Sequence, residues 1–242
     1  MNVRLLPYDV ADGPGNMARD EVLLQSAVEN QLASLRFYGW SSATASLGYF
    51  EPAAGRLSDA RLKELPWVRR PTGGGTLVHD GEVTYALALH PHSHWQAQGG
   101  WIPRIHTAIC NALMALGVRQ LAMVADIRPS GAGLCFQQHT LGDVLCQRSK
   151  VVGSAQRKHR QALLQHGGIL LAQSPHTPAL PGLLELAGVA LNPLQVEAAV
   201  VAELAQATDW SLIPGAWTAE ERRRVERLAE EKYCSASWNE RR

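Results

Sequence analysis

The stretch Arg69-Arg70-Pro71-Thr72-Gly73-Gly74-Gly75-Thr76-Leu77-Val78-His79-Asp80 is the most distinctive in the chain. Three consecutive glycines lose much conformational freedom on folding and add nothing to a core. They typically bring backbone N–H groups close to a carbonyl, phosphate or carboxylate. The flanking arginines and His79 favour an anionic ligand, while the glycines alone fit a flexible hairpin loop equally well. No Gly-Lys-Ser/Thr follows, and the spaced glycines of a dinucleotide site are missing, which excludes both of those phosphate-binding motifs.

A second stretch, Lys150-Val151-Val152-Gly153-Ser154-Ala155-Gln156-Arg157, places a lysine at the start of an apolar strand. A lysine at that place is ordinarily an exposed strand end. The small residues that follow it require close packing, so we expect Lys150 to point into a pocket. The triplet Gln165-His166-Gly167 lies shortly beyond, although a lone histidine is more often structural than catalytic.

Hydrophobic periodicity predicts strands and helices in a mixed order. We expect helices over 16–35 (capped by Asn16), 102–116, 195–207 and 219–233, strands over 44–49 and 67–70, and a hairpin of 76–79 with 83–90 around Asp80-Gly81. Short strands separated by glycine-bearing turns are expected over 118–172. Because this order is not a regular βαβ alternation, it favours an α+β fold with a mixed, largely antiparallel central sheet flanked by helices.

Composition excludes several classes of protein. Among 242 residues, 46% are hydrophobic and 19% charged, which excludes an intrinsically disordered chain. The net charge is only +1, and no apolar run is long enough for a transmembrane span or a signal peptide. Four scattered cysteines without a CxxC pair indicate free thiols. We therefore expect a cytoplasmic protein that binds neither nucleic acid nor a membrane.

Together, RRPTGGGTLVHD at 69–80, Tyr85 and KVVGSAQRKHRQALLQHGGILL at 150–171 resemble the lipoate–protein ligase and octanoyltransferase family. That family shares its catalytic domain with biotin protein ligases. Further matching segments are 13–21, 46–49, Cys135-Phe136, Asp143 and 232–239. The resemblance thus extends over nearly the whole chain.

The resemblance implies an α+β domain that binds a medium-length acyl group in a tunnel and passes lipoyl or octanoyl to one lysine of a carrier domain. It implies acyl carrier protein as the donor, and the glycine-cleavage H protein or a lipoyl domain of a 2-oxoacid dehydrogenase as the acceptor. Lys150 would hold the acyl carbonyl or the phosphate of an adenylate. The expected acyl or acyl-adenylate site comprises Arg70, Thr72, Gly73, Gly74, Gly75, His79, Gly153, Ser154, Ala155 and His166.

Cys135 separates the two chemistries that the resemblance allows. A transferase carries octanoyl as a cysteine thioester and needs no cofactor, whereas a ligase activates lipoate with ATP and Mg²⁺ and has no use for the thiol. Within Gly131-Ala132-Gly133-Leu134-Cys135-Phe136, the cysteine occupies the position of the family's nucleophile. A nearby Lys150 ammonium would increase its thiolate fraction. A buried structural cysteine is the alternative interpretation, since some ligases also have Cys-Phe here.

We therefore predict an octanoyltransferase with Cys135 and Lys150 as catalytic residues and no metal. The alternative is an ATP-dependent lipoate–protein ligase that acts with a separate partner subunit. We expect one catalytic domain over 1–242 without the C-terminal accessory domain that single-chain ligases usually have, which favours the transferase. A non-catalytic acyl-binding module is disfavoured by the intact motifs, and a biotin ligase by the absence of a GRGRxG-type loop.

Overall fold

The computed structural model describes residues 1–58, 60–91, 100–125 and 134–241. Of the short strands predicted between Val118 and Cys135, the described residues include one, which ends at Met123. Gly131, Ala132 and Gly133, which precede Cys135 in its motif, lie outside the described residues. Within the described ranges, no helix combines the length and the apolar character that crossing a bilayer requires.

Twelve strands within the described residues form two sheets. They are β1 (Asn2–Leu5), β2 (Asp9–Ala11), β3 (Ser34–Trp40), β4 (Thr44–Leu47), β5 (Trp67–Arg69), β6 (Leu77–His79), β7 (Glu82–Leu89), β8 (Leu121–Met123), β9 (Val144–Cys146), β10 (Ser149–His159), β11 (Ala162–Leu170) and β12 (Ser211–Pro214). The large sheet has the order β12-β1-β3-β7-β11-β10-β9-β8, with β2 also paired to β3. The small sheet has the order β5-β4-β6.

The large sheet is mixed and mostly antiparallel. Strand β1 runs parallel to β12 and β3, and β2 runs parallel to β3. Every pairing from β3 through β7, β11, β10 and β9 to β8 is antiparallel. The predicted α+β fold with a mixed, largely antiparallel sheet is therefore confirmed.

Helices cover both faces of the large sheet. The helices of the described residues are α1 (Gly13–Glu29), α2 (Ala60–Lys63), α3 (Trp101–Ala115), α4 (Leu183–Ala187), α5 (Pro193–Ala207), α6 (Ala219–Leu228) and α7 (Ala236–Asn239), of which α1, α3 and α5 pack on the large sheet. Because successive strand residues point to opposite faces, Leu87 of β7 packs in the core cluster with α3 and α5. Its neighbours Ala86 and Ala88 pack on the other face with α1. Helix α6 lies against α1, and a π-helical turn, Ala229–Tyr233, continues it.

The predicted hairpin of 76–79 with 83–90 is wrong in its pairing. Both strands form, but β6 pairs with β4 of the small sheet, and β7 lies between β3 and β11 of the large one. All eight residues of β7 are buried. Because β3 and β11 occupy both of its edges, none is left for β6. The turn at Asp80-Gly81 thus joins the two sheets.

The first helix differs from the prediction at both ends. Asp12, not Asn16, is its N-cap, and Oδ1 of Asp12 accepts a hydrogen bond of 2.9 Å from the Gly15 N–H. The helix ends at Glu29, and Gln31 reverses the chain with a φ of 53°. Leu35, predicted as the last residue of the helix, lies in β3. Its spacing from the earlier apolar residues fits a helix, but its burial is that of a strand residue in the centre of the sheet.

Candidate active site

One pocket brings the two sequence motifs together. The surface that its lining exposes is mainly apolar. The small sheet and the turn after β5 form one side of it, and β10 and β11 form the other. The predicted site residues that line it are Arg70, His79, Cys135, Gly153, Ser154, Ala155 and His166.

The buried guanidinium of Arg70 holds the glycine loop in shape. Its Nη2 donates to the carbonyl oxygens of Gly73 (2.8 Å) and Gly75 (2.7 Å). Its Nη1 donates to the backbone oxygen and to Oγ of Ser46, at 2.9 Å and 3.2 Å. Gly74 has a φ of 90°, a conformation that favours glycine. The triple glycine is therefore a shaped loop beside the pocket rather than a flexible hairpin tip.

Cys135 begins a short 3₁₀ turn, Cys135–Gln137, at the edge of the pocket. Its N–H donates to the carbonyl of Thr76 at 2.8 Å, which ties the turn to the end of the glycine loop. Its side chain is partly exposed. Burial raises the pKa of Cys110 and of Cys146, and burial together with Asp12 and Glu230 raises that of Cys234.

Lys150 points inward from β10 and is buried, but it lies outside the pocket lining that the prediction assigned to it; its ammonium contacts the backbone of the Cys135 turn. Nζ donates to the carbonyl oxygens of Cys135 (3.3 Å) and Gln138 (3.2 Å). It also forms a buried salt bridge of 2.8 Å with Oδ2 of Asp143. A methyl group on Gly153 would overlap Cε of Lys150, so glycine is required there for the lysine to fold back.

His166 is oriented by a carboxylate from the first helix. Nδ1 of His166 donates to Oδ2 of Asp20 at 2.7 Å, and its Nε2 shares a 2.6 Å hydrogen bond with Oγ1 of Thr72. Asp20 also accepts hydrogen bonds from Arg36 and from the Tyr38 hydroxyl. Thr72 is therefore connected to the pocket through His166.

His79 is oriented in the same way from the other side of the pocket. Its Nδ1 donates to Oε1 of Glu82, and its Nε2 shares a 2.7 Å hydrogen bond with Oγ of Ser46. Its ring stacks on Trp40 with the centroids 3.7 Å apart. Two histidines, each fixed by a carboxylate, thus line the pocket that Cys135 borders.

Ser154 joins a buried chain of hydrogen bonds whose direction follows from its ends. Nδ1 of His106 donates to the Gly142 carbonyl at 2.7 Å, so Nε2 accepts the hydroxyl proton of Ser154 at 2.6 Å. The hydroxyl of Tyr85 therefore donates to Oγ of Ser154 at 2.6 Å, and accepts from Nε2 of Gln165 at 2.7 Å. Burial lowers the pKa of His106 to about 4, whereas burial raises that of Tyr85 to about 12. At neutral pH this series of hydrogen-bonded side chains therefore carries no charge.

The structure places the remaining predicted residues behind the lining. The glycine loop, residues 73–75, is joined to the pocket by Arg70, which lines the pocket and is hydrogen-bonded to the loop. Lys150 is joined to it by Cys135, whose carbonyl oxygen accepts a hydrogen bond from the lysine. The prediction of the site missed the residues that orient its histidines, its lysine and Ser154, namely Asp20, Ser46, Glu82, His106 and Asp143. Asp20, Ser46 and Asp143 did belong to segments that carried the resemblance. His106 gave no signal, because one polar residue on an apolar helix face has no motif.

Comparisons with known proteins agree on one family. The model of the lipoyl protein ligase A/B catalytic domain matches residues 12–186. The octanoyltransferase LipM of Kyrpidia tusciae is 31% identical over 98% of this chain and 97% of its own. That of Moorella thermoacetica is 32% identical over 99% of this chain and 98% of its own.

Two solved structures share the fold. Lipoate-protein ligase A bound with ATP superposes with a TM-score of 0.78 at 21% identity, covering 99% of both chains. A bi-partite lipoate protein ligase from Thermoplasma acidophilum, studied with its E2 lipoyl domain, gives 0.73 at 20% identity, covering 99% of this chain and 96% of its own. The matched catalytic-domain model spans both pocket-forming motifs, and the chain therefore belongs to the lipoyl protein ligase A/B catalytic-domain family.

Proposed function

We propose that this chain is an octanoyltransferase of protein lipoylation, which carries the octanoyl group on Cys135 as a thioester. The observation that carries the proposal is the position of the thiol. Cys135 lines an apolar pocket, on a turn that Lys150 and Thr76 hold in place. The LipM relatives, whose name is octanoyltransferase, support the same activity.

In the first step the Cys135 thiolate attacks the thioester carbonyl of the donor. A new C–S bond forms, the donor C–S bond breaks, and the donor thiolate takes up a proton as it leaves. The octanoyl chain lies in the apolar pocket, where each buried methylene contributes roughly 0.8 kcal/mol. In this proposal, backbone N–H groups of the glycine region stabilise the carbonyl oxygen as it gains negative charge.

In the second step a lysine amine of the acceptor, having lost a proton, attacks the octanoyl-cysteine carbonyl. The C–N bond forms, the bond to Cys135 breaks, and the thiol is regenerated. His79 and His166 line the same pocket, and their carboxylate partners fix both rings. We assign them to contacts with the acyl group or the acceptor rather than to a named proton transfer.

The donor in this proposal is acyl carrier protein. The acceptor is the glycine-cleavage H protein or a lipoyl domain of a 2-oxoacid dehydrogenase. The relationship of the T. acidophilum ligase to an E2 lipoyl domain supports the second kind of acceptor. The reaction needs neither ATP nor a metal, and it belongs in a reducing compartment such as the cytoplasm, because Cys135 must remain a free thiol.

The test is to incubate the protein with octanoyl-acyl carrier protein in the absence of ATP, and to measure intact mass before and after adding an apo lipoyl domain. We expect one octanoyl group on Cys135, then its transfer to the domain. Cys135→Ser should abolish both, whereas Cys234→Ser, at an exposed thiol, should abolish neither. Modification of the domain from free lipoate only when ATP is added would instead establish the ligase alternative.

A further inference from the structure

Two buried cations lie beside Cys135, and they differ in what neutralises them. The ammonium of Lys150 contacts the carboxylate of Asp143 at 2.8 Å, so an adjacent anion matches its charge. The hydrogen bonds that the structure shows for the Arg70 guanidinium go to neutral oxygens of Ser46, Gly73 and Gly75. Glu51 also acts on Arg70 through its charge, but its carboxylate is hydrogen-bonded to Gly48 and Thr76, so the charge of Arg70 is matched less closely than that of Lys150.

Gly74 shows how close Arg70 lies to the thiol. A methyl group built on Gly74 would be 2.9 Å from Nη2 of Arg70 and 3.8 Å from Sγ of Cys135. The distance between Nη2 and Sγ cannot exceed those two lengths combined. Both residues line the same pocket. In such a buried place a charge is screened far less than in water.

We propose that Arg70 is the cation that favours the thiolate form of Cys135, while Lys150 and Asp143 form a clamp that positions the turn. The proposal rests on the proposed function only in taking Cys135 as the reacting residue. It assigns to Arg70 an electrostatic effect on the sulfur, in addition to holding the glycine loop. Lys150 then acts through the backbone of Cys135, and so is a positioning residue.

The electrostatics of Arg70 support this assignment. Burial lowers the pKa of the Arg70 guanidinium, and the Cys135 thiolate is the largest charge that acts in the opposite direction, ahead of Glu51.

Other charged or titratable groups surround the sulfur and belong in the test. Oε2 of Glu51 accepts hydrogen bonds from the Gly48 N–H (3.0 Å) and from Oγ1 of Thr76 (2.8 Å). Its negative charge opposes the thiolate from the small-sheet side. From the large-sheet side, the charges of Lys150 and Asp143 largely cancel. His79 and His166 line the same pocket.

The experiment measures the rate at which iodoacetamide alkylates Cys135 across a pH series, in the full chain carrying Cys234→Ser. Mass spectrometry of the Cys135 peptide separates it from the buried Cys110 and Cys146. No acyl substrate is needed, so a failed acyl-transfer assay leaves this result interpretable. The variants are Arg70→Gln, Arg70→Lys, Lys150→Gln and Glu51→Gln.

We expect Arg70→Gln to lower the alkylation rate near neutral pH by about 10-fold and to move the pH midpoint upward by about one unit. Arg70→Lys should restore most of the rate, because it restores the charge. Lys150→Gln should move the midpoint less than Arg70→Gln. Glu51→Gln, which keeps an oxygen acceptor and removes an opposing anion, should move it downward even if Arg70→Gln proves unstable.

The proposal is overturned if Lys150→Gln moves the midpoint more than Arg70→Gln does, or if Arg70→Lys behaves like Arg70→Gln. It is also overturned if Glu51→Gln leaves the midpoint unchanged or raises it. A merely structural role for Arg70 would reduce the rates at every pH without moving the midpoint.

Discussion

Oδ2 of Asp143 lies 2.8 Å from Nζ of Lys150, and both side chains are almost completely buried. The same ammonium donates to the carbonyl of Cys135. Asp143 therefore fixes the turn that carries the thiol, with Lys150 as the one residue between them. Asp143 is itself held by the N–H and the hydroxyl of Thr140. The position of the sulfur therefore depends on a carboxylate that does not line the pocket.

Replacement of Asp143 by Asn should destabilise the protein strongly. The substitution leaves the Lys150 ammonium buried without its anion, a change that costs about 3–5 kcal/mol in buried pairs. Urea unfolding at neutral pH measures it. The control is Glu220→Gln, which breaks ion pairs of an exposed carboxylate with Arg223 and Arg224 and should cost far less stability than Asp143→Asn. Equal decreases in the free energy of unfolding of the two variants would mean that the buried pair stabilises the fold no more than the exposed pairs do.

Gly153→Ala should reduce octanoyl transfer without unfolding the protein. The new methyl group would overlap Cε of Lys150, and the lysine must move away from the Cys135 carbonyl. Because small misplacements of catalytic groups are costly, we expect a loss of about 100-fold in rate. Gly55→Ala is the matched control, since nothing lies within 4 Å of the added methyl group. If both variants retain full activity, the position of Lys150 is not critical.

Acid should weaken the contact between the chain's two ends. Burial opposes the ionisation of Glu221, but hydrogen bonds from Arg4, the Thr218 N–H and Ser26 outweigh it and lower the pKa to about 2. A carboxyl with a lowered pKa stabilises the fold above its unfolded value of about 4.3, and this contribution is lost as pH falls toward 2. Urea midpoints over that range should decline less in Glu221→Gln than in the unmodified chain. Parallel declines would show that Glu221 contributes no pH dependence.

The sequence predicted the parts of the molecule that local pattern specifies. The glycine stretch and the Lys150 strand were recognised because their residues are contiguous, and the helices α3 and α5 because their apolar residues recur at helical spacing. The fold class followed from the order of the elements. What failed was pairing. Whether β6 joins β7 or β4 depends on which strands occupy the edges of β7, and no local pattern contains that information.

The site shows the same division between local and long-range information. His79 and His166 were predicted from motifs, but the carboxylate that orients His166 is Asp20, 146 residues away in the chain. Arg70 was predicted to contact ligand, and its hydrogen bonds to the glycine loop appear only once the loop is folded. Physical chemistry requires that buried polar groups find partners. It does not say from the sequence which partner each will have.

His106 should stay neutral well below the usual titration range of histidine. Burial lowers its pKa to about 4, outweighing the Gly142 hydrogen bond and Asp143, which act in the opposite direction. NMR of the ring should show no titration on acidification from about pH 8 to pH 5, whereas the same ring in urea should titrate near 6.5. Because the folded pKa lies below the unfolded one, the fold should lose stability as pH falls from about 6.5 toward 4. His106→Gln keeps a hydrogen-bonding side chain that does not titrate, so it should remove that part of the slope. If the ring titrates normally in the folded protein, His106 becomes charged near neutral pH. The hydrogen bonds that join it to Ser154, Tyr85 and Gln165 would then not form an uncharged series beside the pocket.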